Sequence, residues 1–322
     1  MTKVLILGGS GWLSGRVARR WSAAGADVTC LTRGERPMPP GVAHVRGDRE
    51  LPDAYAGVPA GDWDHVVDVS SRAVHVARAV DALGGRARRW TYVSSLSVYA
   101  DDAAVGADES APRHPPALPD EQGDYGREKV AAEDAVSALG DRALVVRPGL
   151  IVGAGDPSDR FGYWAAAFLR AGSGPVLLPP LDGRFTQVIH VDDLAAYIVH
   201  ARASGPVNAV GDPHPLAEVV QLFRQATGHR GRVIEAAEGW LRDRDVEYWM
   251  GERSLPLWLP PDMPGFATRS HARYTADGGR LRPLVETVAD VCDDEVARGI
   301  DRPRRAGLTR QQEVELLAPL GA

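Results

Sequence analysis

The chain has 322 residues, of which 44% are hydrophobic and 25% charged, and a formal net charge of −6. This composition fills a real core and excludes a largely disordered chain, and the length suits two domains or one large sheet with an appendage. The acidic balance argues against a nucleic-acid surface, and no apolar run approaches the roughly 18 to 20 residues of a membrane span.

Met1, Thr2 and Lys3 lead straight into an apolar strand-like run, without the pattern of a targeting peptide. Cys30 and Cys292 are too isolated for a disulfide framework or a zinc site, so a reducing cytoplasm is expected. Of the 37 basic residues only Lys3 and Lys129 are lysines, and a retained lysine is therefore an informative letter.

Strands are predicted at 3–8, 27–32, 43–46, 65–70, 89–94 and 143–147. Leu13, Val17 and Trp21 recur at four-residue spacing between the first two strands. Val76, Ala79, Val80 and Leu83 do the same between the fourth and fifth. Strand and helix in alternation predict parallel strands joined by right-handed crossovers, with ligands beyond the carboxyl ends of the strands. The acidic, proline-containing stretch 101–124 reads either as a lid over a binding site or as a solvated insertion. Residues 172–183 and 254–265 read as loops. A helix is expected to begin at Asp192, with that side chain as its cap, and a last one at 309–317.

The run Gly8-Gly9-Ser10-Gly11-Trp12-Leu13-Ser14-Gly15 falls between the first strand and the first helix. A backbone that turns sharply against a pyrophosphate has no room for side chains, and the helix amino terminus offers it free N–H groups. At the end of the second strand no acid precedes Glu35, whereas Arg33 can pair with a 2′-phosphate; the plain alternative is a solvated loop arginine. Asp48 suits either an adenine amino group or a simple turn. Ser70, closing the fourth predicted strand, completes the coenzyme-facing set.

Tyr125 and Lys129 are four residues apart, which on a helix puts phenol and ammonium on one face, ahead of a predicted helix at 130–139. A nearby ammonium favours phenolate and brings the phenol's pKa down from near 10, fitting it for proton transfer. Upstream, the fifth strand ends in hydroxyls. Ser95, and after it Ser97, can hydrogen-bond a substrate carbonyl. His190, Asp192 and Asp193 lack further ligands at metal spacing, so no metal site is expected.

Gly8-x-x-Gly11, Ser94-Ser95-x-x-Val98-Tyr99, Tyr125-x-x-x-Lys129, Arg147-Pro148 and the run Ile189-His190-Val191-Asp192-Asp193-Leu194 resemble the extended short-chain dehydrogenase/reductases. More narrowly, the chain resembles the NAD-dependent epimerase/dehydratase group, including bacterial members described as isoflavone-reductase-like. The resemblance implies an α/β fold, a Rossmann-type doubly wound parallel sheet with a smaller C-terminal α/β substrate lobe. The coenzyme domain would comprise 1–152 plus 184–212, and the lobe 153–183 plus 213–322. The resemblance also implies a Ser95/Tyr125/Lys129 triad, hydride transfer, Pro148 and Ile151 against the nicotinamide, Lys129 on its ribose, and a homodimer.

Three departures narrow this. The family's third glycine falls on Ser14, one place before Gly15, which puts close helix–phosphate contact in question. Leu96 and Ser97 stand where dehydratase members carry Asp-Glu. Thr186 stands where nucleotide-sugar epimerases carry an arginine, with Arg184 two residues earlier. Aromatic residues crowd the lobe instead; Tyr163, Trp164 and Trp249 are the expected substrate contacts beside Ser97, in an apolar pocket to which Arg160 and Arg184 would bring one anionic or polar contact.

The expected activity is that of an NADP(H)-dependent oxidoreductase, with NADP(H) favoured over NAD(H). Its type would be carbonyl reductase or alcohol dehydrogenase, acting on a small cyclic or aromatic metabolite. A cofactor-retaining epimerase of a sugar-like substrate is the first rival. A non-catalytic nucleotide sensor or RNA-associated protein on the same scaffold is the second.

Overall fold

The computed structural model describes residues 1–118 and 123–321. Its first half alternates β1 (Lys3–Leu7), α1 (Trp12–Ala23), β2 (Asp27–Thr32), β3 (Ala43–Arg46), β4 (Trp63–Asp68), α2 (Ala73–Leu83), β5 (Ala87–Val93), α3 (Tyr125–Ser137) and β6 (Ala143–Pro148). Then follow β7 (Leu150–Val152), α4 (Gly162–Ala171), β8 (Val176–Leu178), β9 (Phe185–His190), α5 (Val191–His200), β10 (Gly205–Ala209), β11 (Pro213–Pro215) and α6 (Leu216–Ala226). The chain ends with β12 (Val233–Glu235), α7 (Glu238–Arg242), β13 (Glu247–Trp249), β14 (Ser254–Pro256), α8 (Ala272–Ala276), α9 (Leu284–Arg298) and α10 (Arg310–Leu317).

Seven strands form one parallel sheet in the order β10-β6-β5-β4-β1-β2-β3. Side chains alternate across it with period two. Val4 and Ile6 pack with Val17 of α1 and Leu194 and Ile198 of α5. Leu5 and Leu7 pack with Val76 and Ala79 of α2 and Ala132 and Val136 of α3. Both faces are therefore covered, which is why β1 reads as continuous apolar sequence. The strand order reverses at β1, and the crevice this opens lies beyond the carboxyl ends of β1 and β4.

The second half supplies smaller pairings: β7-β9-β11, β8 with β12, and β13 with β14. Beneath them is a separate core in which Phe161, Trp164 and Phe168 pack with Phe223, Trp258 and Leu316. This is a Rossmann-like α/β fold with a smaller C-terminal α/β region.

Several local expectations need correction. β8 lies within 172–183, and β14 opens 254–265, which runs into a 3-10 turn at Pro264–Ala267, so neither stretch is plain loop. The cap of α5 is His190, whose Nδ1 accepts from the Asp192 N–H at 3.1 Å; Asp192 is inside the first turn, where it meets Arg16 at 2.9 Å. α3 begins at Tyr125, five residues before the predicted start, because Asp124 accepts from the Arg127 N–H at 3.0 Å. Thr309 is not the first turn of α10 but its cap, in a reciprocal pair with Gln312. The described part of 101–124 is bound to the body: the Glu109 carboxylate accepts from the Asn208 N–H at 2.7 Å, and the Gly106 N–H donates to the Thr268 carbonyl. Residues 119–122 of that stretch lie outside the described residues. Among the described residues no helix is long and apolar enough to cross a membrane.

Candidate active site

The turn after β1 is built for close approach. Gly8 has φ +96°, and a Cβ on Gly9 would stand 2.1 Å from the Cys30 sulfur. Ser14, in the position of the third glycine, does not obstruct the turn. Its hydroxyl donates to the Gly8 carbonyl at 2.6 Å and accepts from the Gly11 N–H at 3.1 Å, so it clamps the loop from within. The first turn of α1 carries no acid, which leaves its amino-terminal dipole uncompensated and open to a phosphate.

From this turn a groove runs both ways along the carboxyl edge of the sheet, with Gly11 and Val69 belonging to both arms. One arm, of about 600 Å³, is lined by Gly8, Ser10, Thr32, Arg33, Arg36, Asp48 and Ser70. Thr32 shapes its rim by accepting from the Gly34 N–H at 3.2 Å, and Gly34 (φ +84°) turns the chain so that Arg33 faces outward. Arg33 is exposed and bridges to Glu35 at 3.0 Å. Arg49 is already engaged, holding the buried Asp68 carboxylate through two bonds of 2.8 and 2.7 Å. One Asp48 oxygen accepts from the Glu50 N–H at 3.1 Å, a turn contact made on the groove wall.

The other arm, about 640 Å³, brings together Trp12, Leu13, Ser95, Ser97, Tyr125, Lys129, Pro148, Ile151 and Trp249. Arg160 lines it too, as do Met250 and Phe266, which sequence reasoning had not selected. Trp12 is fixed there by its indole N–H, which donates to the Ala154 carbonyl at 2.8 Å.

Lys129 is almost fully buried. Its Nζ donates to the carbonyls of Val93 (2.7 Å) and Ser70 (2.9 Å) and stands 5.8 Å from the centre of the Tyr125 ring. Burial lowers its pKa from 10.5 to about 8, against the pull of Asp68 and Glu133. Tyr125 departs from expectation. Half of the residue is exposed, yet the protein around the phenol displaces enough water to raise its pKa above 10, and the groups that pull it back are Ser95 and Arg160, not Lys129. The lysine gives its protons to the backbone carbonyls of Ser70 and Val93.

The Ser95 hydroxyl donates to the Ser97 hydroxyl at 3.2 Å and accepts from the Ser97 N–H at 3.1 Å. Its neighbour Ser94 is buried and serves the scaffold, donating to Glu133 at 2.6 Å; Arg147 grips that carboxylate through bonds of 2.9 and 2.7 Å. Glu133, which sequence reasoning missed, thus ties α3 to the ends of β5 and β6. The motif Arg147-Pro148 was its only visible trace.

Three expected substrate contacts lie elsewhere. Tyr163 and Trp164 are in the lobe core, the phenol donating to Glu313 at 3.2 Å and the indole to the Pro256 carbonyl at 2.8 Å. α4 is buried around most of its circumference, so its large rings pack inward rather than toward the groove. Arg184 pairs with Glu238 at 2.7 Å and borders a separate small depression beside Leu259 and Pro260.

The chain is 29% identical over 300 residues to the 2'-dehydrokanamycin reductase of Streptomyces kanamyceticus, a match covering 87% of this chain and 82% of that one. Its fold is that of the Bordetella bronchiseptica enzyme WbmH in complex with NAD+ (TM-score 0.66, 17% identity, 92% of this chain and 98% of that one). It is equally that of RMD from Pseudomonas aeruginosa complexed with NADPH (TM-score 0.65, 17% identity, 93% and 100%). The model of the NAD dependent epimerase/dehydratase family matches residues 4–210, the span holding the glycine turn, both serines and the Tyr125–Lys129 pair. By that match, and by a groove whose tight turn and open helix terminus fit a nicotinamide dinucleotide, the chain belongs to the NAD dependent epimerase/dehydratase family and is an NAD(P)-dependent enzyme of the extended short-chain dehydrogenase/reductase type.

Proposed function

We propose that this enzyme is an NADP(H)-dependent carbonyl reductase, or alcohol dehydrogenase in the reverse direction, acting on a small cyclic or aromatic metabolite. One observation carries the reading: Ser95, Tyr125 and Lys129 line the same arm of the groove as Pro148 and Ile151, continuous with the glycine turn. The groove from Gly8 and Arg33 to Pro148 and Ile151 would hold the reduced coenzyme, which when bound would supply a hydride for the substrate's carbonyl carbon. The Ser95 hydroxyl holds the carbonyl oxygen in place, and the Tyr125 hydroxyl donates the proton that turns it into an alcohol. Lys129, cationic below about pH 8, would hold the nicotinamide ribose, while the phenolate left on Tyr125 has the Ser95 hydroxyl and the charge of Arg160 as its supports.

The preference for the 2′-phosphate form rests on Arg33 and Arg36 at the rim of the other arm, where Glu35 is already turned toward Arg33. The absence of an arginine at Thr186 and the diversion of Arg184 to Glu238 support a substrate other than a nucleotide sugar.

The test is a panel of ketones followed by NADPH absorbance. Stoichiometric oxidation is expected, and Tyr125→Phe should lower kcat by roughly 100-fold or more. Turnover with the coenzyme retained and a stereocentre inverted would replace the reductase with an epimerase. Nucleotide binding with no turnover in either form would favour a sensor.

A further inference from the structure

Among the described residues, Arg160 is the one cation of the substrate arm whose side chain makes neither a hydrogen bond nor an ion pair. Other arginines of the lobe are matched: Arg170 with Glu313, Arg184 with Glu238, Arg302 with Asp159 and Glu295. Arg160 has no such partner, and its Nε is buried without any hydrogen bond. The acid that acts on it through space is Asp156, whose two carboxylate oxygens are taken by the Ser158 N–H (2.7 Å) and hydroxyl (2.9 Å).

The guanidinium is held where it is. Its carbon lies 4.9 Å from the centre of the Trp249 ring, which meets Phe266 edge-on at 5.1 Å. One partner of that stack sits at strained backbone and the other follows it: Trp249 has φ +61°, and Asp159, just before Arg160, has φ +60°. A bulky residue persists in the left-handed region only where the surroundings over-determine it. Here they do, because the Asp159 carboxylate accepts from Arg302 at 2.6 Å and from the Arg305 N–H at 3.0 Å, and the Trp249 N–H donates to the Trp258 carbonyl at 3.0 Å. Asp159 engages its arginines on one side, leaving Arg160 to the groove on the other.

The arm is therefore cationic. Arg160 and Lys129 line it against Asp156, the one acid among the described lining residues, and burial works against that acid's ionisation. We propose that Arg160, stacked on Trp249, anchors a carboxylate on the substrate, whose apolar body packs against Trp249, Met250 and Phe266. The forked, planar guanidinium matches a carboxylate in geometry as well as charge. The inference deepens the reductase reading and rests on it for the reacting carbonyl, though not for the anchor. It also separates this cleft from one suited to a polycationic amino sugar.

Equilibrium binding to the NADP+-saturated enzyme tests the anchor without turnover. The probes are benzoate against benzamide, benzoylformate against its methyl ester, and kanamycin as polycation. The carboxylates should bind about ten- to a hundred-fold more tightly than their neutral partners. Arg160→Met should abolish that difference and Arg160→Lys keep part of it, with NADPH affinity and the unfolding midpoint verifying the fold of each variant. Tyr125→Phe should retain the difference. Equal affinity within each pair, binding of neither member, a preference surviving Arg160→Met, or tighter binding of kanamycin would each overturn the proposal. Failure of NADPH oxidation with the carboxylate preference intact would count against the reductase reading alone.

Discussion

The ammonium of Lys129 stands 5.8 Å from the centre of the Tyr125 ring, yet gives its hydrogen bonds to the carbonyls of Ser70 and Val93. The lysine is thus a buried charge with its own supports, and its pKa of about 8 lies close to working pH. Reductase activity should fall as pH rises through that value, because the ammonium is lost. Lys129→Met should be weakly active with that alkaline limb removed. Stability runs the other way. Between about 8 and 10.5 the unfolded chain binds the proton more tightly than the folded one, so the wild type gains up to about 1.4 kcal/mol per pH unit relative to Lys129→Met. Urea unfolding at pH 7 and pH 10 measures the difference, and a parallel pH dependence in both proteins would contradict it.

Coenzyme selection should respond to the rim of the other arm. Arg33 is exposed and paired with Glu35, so its contribution is to binding and not to the fold. A 2′-phosphate would draw it from Glu35 into a charge-assisted pair of about 1.5–3 kcal/mol. Arg33→Ala should lower affinity for NADPH by roughly ten-fold or more while leaving NADH unchanged. Titration of both coenzymes decides it; an unaltered ratio would remove the phosphate assignment.

The glycine turn makes a steric prediction. Gly9→Ala would place a methyl group 2.1 Å from the Cys30 sulfur and 2.7 Å from its Cβ. The turn must then shift away from β2, at a cost of about 1–3 kcal/mol and with weaker binding of both coenzymes. Cys30→Ala in the same chain removes the nearer clash but not the Cβ, so thermal stability should recover only in part. Full recovery would mean that the turn yields more easily than its packing suggests.

What the amino-acid sequence displays, and what it hides, follows from where each signal resides. β2 and β3 match their predicted bounds because apolar runs end there at turn residues, and the Tyr125–Lys129 spacing is visible in any strand–helix frame. The start of α3 was not legible from periodicity. Tyr125 to Glu128 carry no apolar stripe, and the helix begins where Asp124 caps it. The cap of α5 is hidden for another reason: Asp192 is of the residue type that caps most readily, yet the histidine two places before it does so here through Nδ1. Tyr163 and Trp164 stand on a helix surrounded by core, where no polar face says which ring meets the groove. Arg160 is one of 35 arginines, and its lack of a partner is a tertiary property that no spacing encodes.

The acid limb of stability should trace to the carboxylates that brace the lobe against the groove. Burial alone would raise the pKa of Asp159, but hydrogen bonds from Arg302 and the Arg305 N–H, with the charge of Arg298, outweigh it and hold the carboxyl below 3.8. Asp290 behaves alike: burial raises its pKa, while His190 and the Ala154 N–H bring it down further. A depressed folded pKa contributes stability that is complete above the unfolded value and is lost as pH falls through the folded one. Unfolding free energy should therefore drop below about pH 4, and less steeply in Asp159→Asn, which cannot ionise. At pH 7 the same substitution should cost about 1–3 kcal/mol, since Arg302 and Arg298 lose a charge they now share but keep Glu295 and Asp294 as partners. It should also weaken carboxylate binding at Arg160, whose backbone follows the strained Asp159, without changing the affinity for NADPH. Asp159→Asn with wild-type acid unfolding and unchanged benzoate affinity would mean that the turn before Arg160 is held by its own packing rather than by this ion pair.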